Sequence, residues 1–296
     1  MKSVAETIES KTRQEKPVLS FEIFPPKPGA PFEPVRAAAL ELASLSPRPD
    51  FISVTYGAGG STKVNTVEIA AGIQQDSKVP ALAHLTCAGA SHEGIEAAAD
   101  AMEKAGIRSV LALRGDRQAD AADSGPGDFA HASDIVPYLK RRGFSVGGAC
   151  YPEGHPEAPD RITDLDNLMR KIEAGCDFLT TQMFFENDML YTFLYRLRSR
   201  NASIPVLAGI MPVVSVSQIS RMLKLSNAFM PRRLLALADR FRASPAALRQ
   251  AGIAYATEQI IDLVSNGVTG IHLYTMNKPD VARAILSNLS EILSAE

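Results

Sequence analysis

The sequence predicts an α/β protein of the (β/α)8 TIM-barrel class, with extra helices between the seventh and eighth units. Three observations predict it. Short apolar runs alternate eight times with longer stretches of helical periodicity. Turn residues such as Pro25-Pro26 and Gly57-Ala58-Gly59-Gly60 close the runs. The chain of 296 residues is long enough for one barrel of about 250 residues and an insertion.

The first run is Val18 to Phe24. Phe51 to Thr55 is the second, Ala81 to Leu85 the third, and Ser109 to Leu113 the fourth, which Arg114-Gly115-Asp116 ends. Phe144 to Tyr151 is the fifth, stopped by Pro152. Phe178 to Thr181, Pro205 to Ile210 and Gly270 to Tyr274 complete the set. Helical segments lie near 32–45, 62–75, 92–105, 132–142, 160–175, 186–200, 215–226 and 279–294. Ser61-Thr62 and Ser91 offer N-cap chemistry at two of the starts. The stretch 229–266 holds two more helical segments and reads as an insertion, because no Pro/Gly/Ser-rich linker sets it apart. The expectation is a single catalytic barrel over 1–296, with no regulatory domain.

Composition narrows the function. The 31 basic and 33 acidic residues leave a formal net charge of −2, so no general charge attraction favours nucleic acid or an acidic membrane. Cys87, Cys150 and Cys176 form neither a disulfide framework nor a CxxC pair. The charged N-terminal stretch has no apolar h-region, and no window is apolar enough to span a bilayer. A cytoplasmic enzyme without a membrane partner is expected.

A barrel carries its chemistry at the C-terminal ends of its strands. Glu22 lies within an apolar run, where alternation puts Ser20, Glu22 and Phe24 on one face. Facing the barrel interior, its carboxyl would be held protonated and serve as a general acid; a structural ion pair is the alternative. His84 ends the third run, as either a hydrogen-bonded core residue or a ligand contact. Tyr151 to Glu157 collects a tyrosine, a histidine and two carboxylates, yet His155-x-Glu157 lacks metal-ligand spacing. Asp164, Asn167 and Lys171 share one face of the next helix, with Arg170 alongside. That set suits ribose hydroxyls and a pyrophosphate, although a solvated face reads as simply. Gln182 can donate and accept in one plane, as a heterocycle edge requires. The loop 57–62 matches neither GxGxxG nor a P-loop, and no GxSxG elbow occurs.

The strand ends together resemble methylenetetrahydrofolate reductase of the short, bacterial type. The matching segments are SFEIFPPK (20–27), FISVTYGAGGST (51–62), HLTC (84–87), LRGD (113–116), YPEGHPEA (151–158), the D-x-x-N-x-x-R-K stripe (164–171), TTQMFF (180–185), AGIMPV (208–213) and YTMNK (274–278). They occur in family order over nearly the whole chain.

The resemblance implies a barrel that holds FAD without a Rossmann domain. It implies reduction of 5,10-methylenetetrahydrofolate to 5-methyltetrahydrofolate with NADH or NADPH, by a ping-pong scheme, in one-carbon metabolism and methionine synthesis. It also implies a homo-oligomer. Glu22 matches the general acid and Asp116 the carboxylate near flavin and pterin. Tyr56, Ala58, His84, Arg114, Gly115, Asp116, Ala132, Tyr151, His155, Ala158, Asp164, Asn167, Arg170 and Lys171 match FAD contacts. Thr55, Asp116, Gln182, Gln218, Met222, Tyr274 and Lys278 match substrate contacts; no metal is implied. Three positions depart from the family pattern: Lys278 replaces an Arg, Met222 a Phe, and His131 a Tyr. A flavin-free folate-binding barrel, acting as a carrier or partner subunit, is the alternative reading.

Overall fold

Each apolar run forms a strand in the computed structural model, which describes residues 1–27, 29–56, 63–115, 127–225 and 228–294. The strands are β1 (Val18–Ile23), β2 (Phe51–Val54), β3 (Ala81–Thr86), β4 (Ser109–Leu113), β5 (Ser145–Cys150), β6 (Phe178–Thr181), β7 (Val206–Ile210) and β8 (Gly270–Tyr274). They pair in parallel in chain order, and β8 closes on β1. Closure leaves no sheet edge to protect. The helices α2 (Glu33–Ala43), α3 (Lys63–Ser77), α4 (His92–Lys104), α5 (Ala132–Arg141), α6 (Arg161–Glu173) and α7 (Asn187–Ser199) follow the first six strands in turn. Ser91 caps α4 as expected, its Oγ accepting from the Gly94 N–H at 3.1 Å. Ser61 and Thr62 lie outside the described residues.

The strand period of two sorts the barrel interior into a lower apolar plug and an upper polar chamber. Val18, Phe51, Leu82, Leu111, Phe178 and Leu207 pack into one buried cluster with Val4 and Ile8. Those last two belong to α1 (Val4–Arg13), an element the sequence marked only as a charged amphipathic stretch. Ser3 and Glu6 form a capping box at its start, a signal present in the sequence as S-x-x-E. Val4 N–H donates to Ser109 Oγ at 2.9 Å and Ala5 N–H to Ser145 Oγ at 3.1 Å. Both serines begin their strands, so α1 closes the N-terminal end of the barrel.

The extra helices between β7 and β8 are three in number counting the seventh unit's own: α8 (Val216–Leu225), α9 (Arg232–Arg240) and α10 (Pro245–Ser265). They share a second apolar core that includes Val213, Ile219, Met222, Leu234 and Leu248. The last helical stretch differs from expectation. It divides into α11 (Pro279–Ser287) and α12 (Ser290–Ser294). Asn288 and Leu289 donate to Ile285 and Leu286, three residues back, which tightens the chain and ends the α-helix.

Candidate active site

Register sets the chamber. Glu22 opposes Ser53 on β2 and Tyr274 on β8, and Ser20 opposes His272. Glu22 therefore faces inward, and its side chain retains 19% exposure toward the mouth. Its Oε2 lies 3.6 Å from His84 Nε2 and 3.5 Å from His272 Nε2. Burial pushes the His84 imidazole down to about 4, against the opposing pull of Glu22. His84 is thus neutral at pH 7, and its buried Nε2 has no hydrogen-bond partner among the described residues.

The sequence reading passed over His272, which is 1% exposed. Its only signal was its place two residues before Tyr274, on the same face of the strand. The loop after β8 also holds Glu22 in place. Thr275 Oγ1 donates to the Glu22 carbonyl at 2.6 Å. Asn277 accepts from the Phe24 N–H at 3.0 Å and donates to the Phe24 carbonyl at 2.9 Å.

Tyr274 spends its hydroxyl inside the barrel, donating to the Thr181 carbonyl at 2.6 Å. Burial pushes this phenol well up. It passes over Gly209, where a Cβ would come within 2.8 Å of the phenol oxygen. Only a residue without a side chain leaves room for the tyrosine there.

The residues matched to FAD contacts gather around the ends of β2 to β5 and the face of α6. Tyr56 is half-buried, its phenol pushed up to about 12 by burial. Gly115 follows β4 with φ +88°, and a Cβ there would sit 3.1 Å from Thr86 Cβ. Arg114 donates from Nη1 to Glu157 Oε2 at 2.7 Å and from Nη2 to Oε1, bridging the β4 and β5 loops. Ala132 is buried in the first turn of α5. Tyr151 meets the His155 ring edge-on at 4.6 Å. His155 Nδ1 accepts from the Glu157 N–H at 3.1 Å, and burial lowers its imidazole. The Ala158 N–H donates to the His155 carbonyl at 2.9 Å.

The α6 stripe divides by depth. Asn167 and Arg170 are exposed and joined at 3.0 Å, whereas Asp164 and Lys171 are partly buried. Burial raises the Asp164 carboxyl and lowers the Lys171 ammonium. Lys171 Nζ donates one hydrogen to the Ala149 carbonyl at 2.7 Å. Ala58 and Asp116, two of the residues singled out above, lie outside the described residues.

Residues matched to substrate contacts are more dispersed. Gln182 ends β6 and lines a cavity of about 350 Å³ with Tyr151, His155, Ala158, Met183 and Phe229. Its Oε1 accepts from the Met183 N–H at 2.9 Å. Thr55 is held through its backbone, which donates to the Ile23 carbonyl and accepts from Thr66 Oγ1, both at 3.0 Å. Gln218 braces the loop after β7, accepting from the Val214 N–H at 3.0 Å and donating to the Pro212 carbonyl at 2.9 Å. Met222 is buried at 4% exposure in the core of the inserted helices. Lys278 is exposed beyond the end of β8.

Glu153, one of the two carboxylates of the Tyr151 to Glu157 run, also lines the cavity, a place the sequence did not assign to it. Glu153 Oε2 accepts from the Phe229 N–H at 2.7 Å, tying the β5 loop to the inserted helices. Burial raises this carboxyl. The described residues hold no cluster suited to a metal ion, and the three cysteines are buried and free. No helix among them is long and apolar enough to cross a membrane.

Comparison with known proteins agrees with this geometry. Residues 7–290 match the profile of a family described as methylenetetrahydrofolate reductase. Methylenetetrahydrofolate reductase (NADH) 1 of Arabidopsis thaliana is 34% identical, over 98% of this chain and 51% of its own length. The chain thus spans about half of that relative. The 5,10-methylenetetrahydrofolate reductase of Pectobacterium carotovorum is 33% identical, over 92% of this chain and 89% of its own. The Escherichia coli (strain K12) protein of that name is 32% identical, over 92% and 90%. Among solved structures, an uncharacterized protein from Clostridium thermocellum described as binding two copies of 5-methyl-5,6,7,8-tetrahydrofolic acid superposes with a TM-score of 0.63. That alignment covers 98% of this chain and 99% of the other, and its 15% identity speaks for a shared fold.

Proposed function

The chain belongs to the methylenetetrahydrofolate reductase family, and on that premise we propose that it reduces 5,10-methylenetetrahydrofolate to 5-methyltetrahydrofolate. NAD(P)H is the reductant and FAD the resident cofactor. Reductant and folate use one site in turn, as a ping-pong scheme requires. The observation that carries this reading is the Glu22 carboxyl, held inside the barrel mouth between the His84 and His272 rings and reachable from the cleft.

The residues present fit FAD. His84 offers a buried ring nitrogen that no group among the described residues satisfies. Lys171 has two ammonium hydrogens beyond the one given to Ala149. Arg114, Arg170 and Lys171 supply the cationic groups a pyrophosphate needs, and Asp164 and Asn167 the acceptors ribose hydroxyls need. Tyr56, Gly115, Ala132, Tyr151, His155 and Ala158 complete the set, with Ala58 and Asp116 expected to join it. When bound, FAD would carry hydride from the nicotinamide to the folate.

Glu22 has the central task among the chain's own residues. It donates its proton to the folate nitrogen that leaves as the five-membered ring opens, which produces the iminium that accepts hydride. The Asp116 carboxylate favours that cation electrostatically. Gln182 addresses the edge of the pterin or nicotinamide from the cavity wall. Thr55 lies on the nicotinamide side. Tyr274, Gln218 and Met222 shape the folate side, and Lys278 meets the anionic tail of the folate as a point charge rather than a bidentate fork. The assembly is a homo-oligomer.

Anaerobic stopped-flow measurement tests the reading. Purified protein is expected to be yellow. Glu22→Gln should leave flavin reduction by NADH or NADPH within about twofold and slow reoxidation by the folate by about 10²–10⁴. Equal loss in both halves removes Glu22 as a folate-specific acid. A colourless protein that FAD does not reconstitute favours the carrier reading.

A further inference from the structure

Phe229 sits against the usual preference of its residue type. It is 51% exposed, while Ala228 and Met230 on either side are buried in the core of the inserted helices. A phenyl left half in water forgoes hydrophobic stabilisation. This one lines the cavity that Gln182 also lines. Tyr151 and His155, two other rings of that wall, meet each other edge-on. Phe229 has no ring partner among the described residues. Met222, the inserted residue matched to a substrate contact, is instead buried in the core with Ala228 and Met230.

The backbone that carries the phenyl is fixed. Phe229 N–H donates to Glu153 Oε2 at 2.7 Å. Ala228 and Met230 anchor the chain on both sides, and Pro231, with φ −59°, leads into α9. A ring with two side-chain torsions on such a backbone loses little freedom when a ligand settles on it.

The cavity offers the two kinds of contact that a planar heterocycle needs. Such a ring hydrogen-bonds through its edge and is apolar on its faces. Gln182 serves the edge: its Oε1 already accepts from the Met183 N–H at 2.9 Å, which leaves its amide hydrogens for a ligand. A face needs an aromatic or polarizable surface, which Phe229 and the Met183 thioether supply. The chain has no Trp, so a phenyl is among the few surfaces it has for this purpose.

We propose that Phe229 is a binding residue, whose ring stacks on the planar heterocycle, pterin or nicotinamide, that Gln182 addresses by its edge. The proposal rests on the reading of this cavity as the site that folate and NAD(P)H use in turn, and it adds the wall on which their rings lie.

Binding measurements on the FAD-loaded protein test it. Phe229→Ala should raise the Kd of the oxidised enzyme for 5,10-methylenetetrahydrofolate by about tenfold, and likewise the KM for NAD(P)H in flavin reduction. The limiting rates of both half-reactions should stay within about twofold. The urea midpoint should not move, because the ring is half exposed. Phe229→Tyr keeps the stacking face and should bind as wild type does, whereas Phe229→Leu should recover only part of the loss. Weakening in one arm alone assigns the ring to that substrate and supports the proposal; unchanged affinity in both arms overturns it. A loss that comes with a lowered urea midpoint, or that Phe229→Tyr shares in full, marks a packing role and also overturns it. Phe229→Trp adds a readout without turnover, since it introduces the protein's single tryptophan. Its emission should change as the folate saturates the oxidised enzyme, beyond any change in Tyr195→Trp, at a position 74% exposed on α7. Equal responses of the two overturn the proposal. Wild-type protein that binds neither folate nor NAD(P)H removes the shared-site reading and the proposal with it. Wild-type binding that Phe229→Ala leaves intact removes only the role of Phe229.

Discussion

His84→Gln should flatten the pH dependence of stability in the acid range. In the native barrel, burial holds the His84 imidazole near 4, against 6.5 as its ordinary value. Between these two values the unfolded chain binds a proton here that the folded chain refuses. Stability is fully present above pH 6.5 and is lost as pH falls toward 4. The whole window is worth about 3 kcal/mol, of which about 2 kcal/mol falls between pH 7 and pH 5. With the residue only 5% exposed, solvent screening takes little from that figure. The assay is urea unfolding of the cofactor-free protein at pH 7 and pH 5, wild type beside His84→Gln. Every other titrating group is common to both chains, so the difference in their pH slopes isolates His84. Wild type should lose about 2 kcal/mol more than the variant over this interval. Equal slopes would show that the folded chain accepts a proton on His84 readily, and the chamber's neutral character would be refuted.

Two further outcomes follow from packing. Ile8→Ala removes a side chain that is 1% exposed in the plug below the barrel and should cost about 2–5 kcal/mol, read as a lower urea midpoint. A loss below about 1 kcal/mol would mean that α1 does not close the barrel floor. Gly252→Ala places a Cβ 1.7 Å from the Val213 carbonyl oxygen, backbone against backbone. Helix α10 must then lift from the loop after β7, at a cost of about 3 kcal/mol or more, and a melting temperature equal to wild type would contradict that close seat.

Much of the candidate site could be read from the chain because barrel chemistry sits where apolar runs end. Glu22, His84, Tyr151, His155 and Gln182 all lie at such ends, and the structure brings them around one mouth. The less legible residues work through partners distant in sequence. His272 looked like one polar residue in an apolar strand. Its meaning depends on Ser20 and Ser53, about 250 and 220 residues away, which no local pattern links to it. Asn277 clamps Phe24 for the same reason of closure, since β8 must pair with β1. Glu153 and Phe229 meet only because the inserted helices fold back over the β5 loop.

By itself the sequence determined the strand and helix pattern, the barrel and the set of strand-end groups. These follow from periodicity and turn chemistry, which act over a few residues. The tertiary structure decided which groups are free to act. It turned the Tyr274 hydroxyl and the Gln218 carboxamide inward to backbone carbonyls and amides, buried Met222 in the inserted core, and set His272 between Ser20 and Ser53 beside Glu22. Hydrogen-bond satisfaction and burial are properties of the closed barrel, where each polar atom must find its partner among neighbours that the fold supplies.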